Sequence, residues 1–196
     1  MIPMNRFCRA ALLAAATLPL VSGCTSEATE QSAPAPAEEP SPSISLEELQ
    51  KAEIPNLSVH SSLYSNGVIC TGQLSESQMA LLKDEGAKTF ISLRVATEKG
   101  AGWEEAYAAD QGVDFTRMEI AGAAGVTVEA AKRLHETLTE ADGPVVLYCG
   151  SSNRVGALLG IAAHTEGGMP KDKALELAES AGMTRLAPVV RELLGM

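Results

Sequence analysis

Beyond residue 53 the apolar positions gather into short continuous runs separated by amphipathic stretches. The clearest run is Val145-Val146-Leu147-Tyr148-Cys149, entered through Gly143-Pro144. A valine-rich run with no polar alternation reads as a strand buried on both faces, the mark of a parallel sheet covered by helices. Residues 57–60, 67–71, 88–93 and 113–120 read as further strands. Helical periodicity covers 75–86, 103–110, 127–140, 155–164, 171–181 and 186–194. The 75–86 segment carries its own punctuation: Ser75 at the N-cap, Gln78 three residues on as capping-box partner, and Gly86 as a left-handed stop. Thr127 caps the 127–140 helix, although Ala130 stands where a capping-box glutamate would sit. Strand and helix alternate up to Cys149, which predicts an α/β three-layer sandwich with a central, mostly parallel sheet. The 145–148 strand is expected to be innermost. In such folds ligands collect outside the carboxyl ends of the strands.

The first 52 residues follow different rules. Arg6 and Arg9 precede an apolar stretch over 10–21, too short to span a bilayer comfortably, and Val21-Ser22-Gly23-Cys24 follows. That tetrad resembles the lipobox of bacterial lipoproteins, which implies a signal peptide over 1–23, cleavage before Cys24 and lipid on its sulfur. An ordinary secretory signal cut near Gly23 is the other reading, and both export the chain. Residues 24–52 are rich in Ser, Pro, Ala and Glu and cannot bury enough apolar surface to offset ordering entropy, so a disordered tether is expected there. The protein is thus expected in the periplasm, held to a membrane only by a lipidated Cys24, with the folded domain over 53–196. Setting aside Arg6, Arg9, Lys51 and six tether glutamates leaves that domain 12 of the 15 bases and 19 of the 25 acids. This acidic balance, with few aromatics, argues against nucleic acid as a partner.

Cys149 is the chemically informative residue. It ends the innermost strand, and Gly150-Ser151-Ser152-Asn153 leads from it into the next helix at Arg154-Val155. The first amides of a helix lack intrahelical partners and its dipole is positive there, so an anion is favoured at this turn. A thiolate is one such anion, and a cysteine beside a helix N-terminus and an arginine is expected to ionise below the free value of about 8.5. A bound oxyanion is another, cradled by the amides of Gly150, Ser151, Ser152 and Asn153 and by the planar fork of Arg154. Ser151 and Ser152 either donate to that anion or fill a polar turn. Cys70 is the other cysteine of the domain, either a redox partner of Cys149 or a buried core thiol. Arg94, at the end of its strand with Glu98, Glu104 and Glu105 downstream, either supports the site loop or forms a structural ion pair. His60, His135 and His164 lack metal-ligand spacing, so neither metal nor other cofactor is expected.

Thr71-Gly72-Gln73-Leu74-Ser75, the segment from Leu81 to Arg94 and the Cys149–Arg154 loop together resemble the cysteine-dependent dual-specificity phosphatases of the protein-tyrosine-phosphatase-like superfamily. The nearest branch is the bacterial beta-lactamase-hydrolase-like phosphatase domain. The resemblance covers nearly all of 53–196 and implies a phosphotyrosine-phosphatase-like fold. It also implies attack of a Cys149 thiolate on phosphorus, an oxyanion held by Arg154, and a phosphocysteine resolved by water. The loop departs from that pattern in three places. Four residues separate Cys149 from Arg154 instead of five, Val155 and Tyr148 replace a hydroxyl residue and a histidine, and Ala121-Gly122-Ala123-Ala124-Gly125 lacks the general-acid aspartate. A Cys-x4-Arg loop is similar in size to that of rhodanese-type sulfurtransferases, whose leaving groups need no acid, and members of this branch are linked to sulfide metabolism. Three functions follow as expectations. They are hydrolysis of a phosphoester, sulfur transfer from a sulfane-sulfur substrate through a Cys149 persulfide, and binding of a small oxyanion without turnover.

Overall fold

The computed structural model describes residues 46–196; the signal segment, Cys24 and the first part of the expected tether lie outside the described residues. A five-stranded sheet has the order β1-β2-β5-β3-β4, with β1 Ser58–His60, β2 Val68–Thr71, β3 Thr89–Ser92, β4 Asp114–Arg117 and β5 Val145–Tyr148. β2, β5, β3 and β4 are mutually parallel, and β1 alone joins its neighbour antiparallel at the edge. The expected α/β architecture is observed, with β5 innermost. β5 pairs with β2 on one side, Cys70 opposite Leu147, and with β3 on the other, Ile91 opposite Leu147.

All four residues of β5 are buried, and their period-two alternation divides the core. Val145, Leu147 and Cys149 face one apolar layer, and Val146 and Tyr148 face the other. The first layer is covered by α4 Val128–Glu140, α5 Asn153–Thr165, α6 Lys171–Ser180 and α7 Ala187–Leu193. The second is covered by α1 Leu46–Lys51, α2 Glu76–Asp84 and α3 Glu104–Gln111. Each fully buried aliphatic side chain in these layers contributes about 1.5–3 kcal/mol relative to exposure.

Local chemistry matches the sequence where caps are concerned. Ser75 and Gln78 form the reciprocal capping box of α2, Gly86 takes φ +99° just beyond it, and Thr127 Oγ1 accepts from the Ala130 amide at 3.1 Å. Two boundaries differ. α1 falls inside the stretch assigned to the tether, because Leu49, which follows Glu47 and Glu48, is fully buried against Ile54 and the α2 side of the sheet. β4 is four residues long instead of eight, since it is an edge strand whose partner β3 ends at Ser92. Among the described residues no helix is long and apolar enough to cross a membrane, and no cluster of His, Cys, Asp or Glu could hold a metal ion.

α5 is buried along most of its length, which requires close approach by α6. Gly156 and Gly160 on α5 allow it. A Cβ on Gly156 would collide with the Ala178 carbonyl oxygen and stand 2.6 Å from the Met183 amide, and one on Gly160 would stand 2.7 Å from the Ala174 carbonyl oxygen. Backbone atoms cannot move aside as flexible side chains do, so α5 is fixed against α6, and with it the turn that follows β5.

Candidate active site

The turn from β5 into α5 is built by its neighbours on both flanks. The Leu93 amide donates to the Tyr148 carbonyl at 2.8 Å and the Cys149 amide to the Thr71 carbonyl at 3.3 Å, fixing the strand end that presents Cys149. Ser151 bridges to Gly72. Ser152 adopts φ +59°, a left-handed conformation that costs a non-glycine residue roughly 1–2 kcal/mol. Packing holds it there: it is fully buried, and its Oγ donates to the Ala181 carbonyl at 2.8 Å. Asn153 opens α5 and its Oδ1 accepts from the Thr184 amide at 2.7 Å and the Leu186 amide at 3.4 Å. The Ser152 hydroxyl and Asn153 Oδ1 are therefore committed to the 181–186 loop, while Asn153 still lines the opening and the backbone amides of both residues remain to serve a ligand. Gly150 and Ser151 do face the opening.

Arg154 anchors one edge of its guanidinium. Nη1 donates to the Leu93 carbonyl at 3.2 Å, the Ile120 carbonyl at 2.7 Å and Glu98 Oε1 at 2.6 Å, while Nη2 donates to Glu98 Oε2 at 2.8 Å. Cys149 is a further side-chain hydrogen-bond partner of this guanidinium. A Cβ on Gly150 would stand 3.6 Å from Nη2, so the start of the loop lies directly against the fork. Arg154 is raised above its ordinary value, first by the Glu98 carboxylate, and the Cys149 thiol contributes to the same rise.

Glu98 is held down at about 2, chiefly by its hydrogen bond from Arg154, with the Val95 amide and the charges of Arg154 and Arg94 assisting against partial burial. It is ionised at every physiological pH. Arg94, 2 % exposed, fastens the segment that carries it, donating to the Lys99 carbonyl at 2.7 Å, the Gly100 carbonyl at 2.9 Å and Glu104 Oε1 at 2.9 Å. Glu104, fully buried, also accepts from Ser92 Oγ at 3.0 Å and pairs with Arg117 Nη1 at 3.0 Å. The two readings of Arg94 merge in this network: its ion pair is structural, and what it structures is the Glu98 loop beside the site. Tyr148 Oη lies buried without a hydrogen-bond partner, and burial pushes its pKa up, keeping the phenol neutral.

These groups surround a cleft of about 730 Å³ walled by Glu98, Gly122, Ala123, Gly150, Ser151, Arg154 and Arg185. Cys149, 1 % exposed, sits at the root of its loop wall. Gly122 and Ala123 confirm that the 121–125 loop reaches the cleft without a proton donor, and Glu98 is the one carboxylate lining it among the described residues. Cys70 and Cys149 are both free. Cys149 lies two residues beyond the partner of Cys70, and with about 4.8 Å between strands and 3.3 Å of rise per residue their Cα atoms are about 8 Å apart. That exceeds the roughly 7 Å limit for a disulfide without backbone movement, so the spacing favours the core-thiol reading of Cys70. Burial pushes the Cys70 thiol up to about 12. Two residues of the cleft lay beyond sequence reasoning in their roles, Glu98 as the clamp on Arg154 and Arg185 on the rim. Each reaches the site across dozens of residues with no local spacing to signal it.

No protein-family model matches the chain, and no curated protein matches it either. Solved structures do. A DUF442 phosphatase candidate from Shewanella putrefaciens superposes with a TM-score of 0.58 at 19 % identity, covering 77 % of this chain and 97 % of that one. A phosphatase candidate from Neisseria meningitidis gives 0.55 at 20 % identity, covering 64 % and 92 %. A kinase associated phosphatase, crystallised with its catalytic site cysteine replaced by serine, gives 0.54 at 11 % identity, covering 73 % and 98 %. The chain has the fold of protein-tyrosine-phosphatase-like phosphatases.

Proposed function

We propose that the protein is a cysteine-dependent, phosphatase-like hydrolase of phosphate monoesters, exported to the periplasm and anchored through a lipidated Cys24. The supporting observation is the placement of Cys149 at the end of the central strand, beside an Arg154 whose guanidinium adjoins the loop. In the reaction the Cys149 sulfur attacks phosphorus and the bond from phosphorus to the ester oxygen breaks, its electron pair leaving with that oxygen. Arg154 and the loop amides take up the charge on the equatorial oxygens. Water then attacks the phosphocysteine, the sulfur–phosphorus bond breaks, and inorganic phosphate departs with the water's oxygen. Glu98 is ionised by Arg154 and so has no proton to give the leaving group. Positioned acid catalysis is worth about a hundred- to ten-thousandfold, so esters of acidic alcohols or phenols are the substrates this site turns over best.

The same lack of an acid favours sulfur transfer as the second reading. There Cys149 attacks the outer sulfur of thiosulfate, sulfite leaves with the bonding pair, and the persulfide passes its sulfur to an acceptor such as cyanide. An oxyanion-binding module without turnover is the third. The test compares an aryl phosphate with thiosulfate plus cyanide, using Cys149→Ser as blank. Cys149-dependent release of phosphate supports the hydrolase, and thiocyanate without phosphate release moves the protein to the sulfurtransferases. Neither product, with phosphate affinity lost in Arg154→Ala, leaves the binding module. Mass spectrometry of the mature N-terminus tests the anchor: a lipidated Cys24 is expected, and an unmodified start elsewhere overturns it.

A further inference from the structure

We infer that Arg185 forms a second anion subsite, and that the substrate is a small phosphomonoester whose leaving group carries another anionic group, a carboxylate or a second phosphate. The inference rests on the hydrolase reading and adds the substrate's second charge to it.

Arg185 lines the same cleft as Arg154 and is exposed, and it forms no hydrogen bond or ion pair among the described residues. Its freedom is not for want of acids, since the chain carries 25 of them against 15 bases. The carboxylate that lines the cleft, Glu98, is taken by Arg154 and Arg94. An unneutralised guanidinium therefore faces the same cleft as Arg154. The residue is also held in place. Asn153, adjacent to Arg154, accepts the amides of both Thr184 and Leu186, and Ser152 Oγ holds Ala181, so the backbone on either side of Arg185 is tied to the loop that carries the nucleophile. Gly182, φ +96°, permits this approach, because a Cβ there would come within 2.6 Å of Ser152 Cβ. The backbone that carries Arg185 thus keeps a fixed relation to the loop that carries Arg154. A cleft of about 730 Å³ falls in the range of small-molecule sites, so one ligand can reach both arginines. Arg154 takes the reacting phosphoryl group, and Arg185 takes the charge at the far end by a bidentate pair.

Calorimetric titration of the full-length Cys149→Ser chain with phenyl phosphate, 3-carboxyphenyl phosphate and the bisphosphate of resorcinol tests the subsite without turnover. The two doubly anionic probes are expected to bind roughly two- to fivefold tighter than phenyl phosphate, less so at high salt, because an exposed arginine is screened. Adding Arg185→Gln should collapse that ratio to unity, while Arg185→Lys should keep part of it. A preference for one doubly anionic probe identifies which second anion is read. A ratio of unity in Cys149→Ser itself, a ratio that survives Arg185→Gln, or no binding of any probe overturns the subsite. Turnover of phenyl phosphate by the unsubstituted chain is read separately. Turnover without the binding preference defeats the subsite alone, and preference without turnover defeats the hydrolase reading alone.

Discussion

Replacing Glu98 with glutamine removes the charge that Arg154 grips through hydrogen bonds of 2.6 and 2.8 Å while preserving the side chain's volume. The wild-type carboxyl is displaced from 4.5 to about 2, first by the hydrogen bond from Arg154. At about 1.36 kcal/mol per pH unit this corresponds to about 3 kcal/mol of folding free energy. The two side chains remain 29 % and 13 % exposed, so screening reduces the expected loss in Glu98→Gln to about 2 kcal/mol at neutral pH. A carboxyl with a depressed value stabilises the fold only while ionised in the native state. Its contribution is complete above about 4.5 and disappears as pH falls through about 2. Denaturant unfolding of both proteins from neutral pH downward should therefore show curves that differ at pH 7 and converge as the pH nears about 2. Equal stabilities at neutral pH, or a deficit that persists undiminished at about pH 2, would refute the claim that the bidentate pair holds the clamp on Arg154.

Cys149 should be alkylated by iodoacetamide far faster than Cys70. A thiol pushed up to about 12 in the strand interior is ionised at about one part in ten thousand near pH 8, and peptide mapping that finds equal rates would remove the basis for a nucleophilic Cys149. Gly156→Ala should destabilise the fold by roughly 1–3 kcal/mol, because the new Cβ meets the Ala178 carbonyl oxygen and the Met183 amide. Gly102→Ala, whose Cβ meets nothing within 4 Å, is the control, and equal melting temperatures for the two variants would contradict the close α5–α6 contact.

What the sequence made legible was what local pattern encodes. The apolar run over 145–149 announced the central strand, the Ser75–Gln78 pair and Gly86 bounded α2, and Cys149 with Arg154 marked a strand-to-helix turn. What it hid depends on contacts between distant segments. Glu98 reaches Arg154 across 56 residues, and Asn153 accepts Thr184 and Leu186 across 31 and 33, with no periodicity to betray either contact. Asn153 and Ser152 were read as part of an anion cradle because their backbone amides open a helix beside the nucleophile, and what that reading left out is that their side chains fasten the loop that carries Arg185. α1 was hidden for the opposite reason, since its composition is that of a tether and the buried Leu49 seats it.

The central claim is that the Cys149 sulfur attacks phosphorus. Mixing the full-length chain with an aryl phosphate, quenching within the first turnovers and mapping the peptides by mass spectrometry tests it most directly. The account predicts a phosphoryl group on the Cys149 peptide that is absent in Cys149→Ser and that disappears as free phosphate accumulates. Phosphate release without a Cys149 adduct, or an adduct that forms only from thiosulfate and carries sulfur, would contradict it.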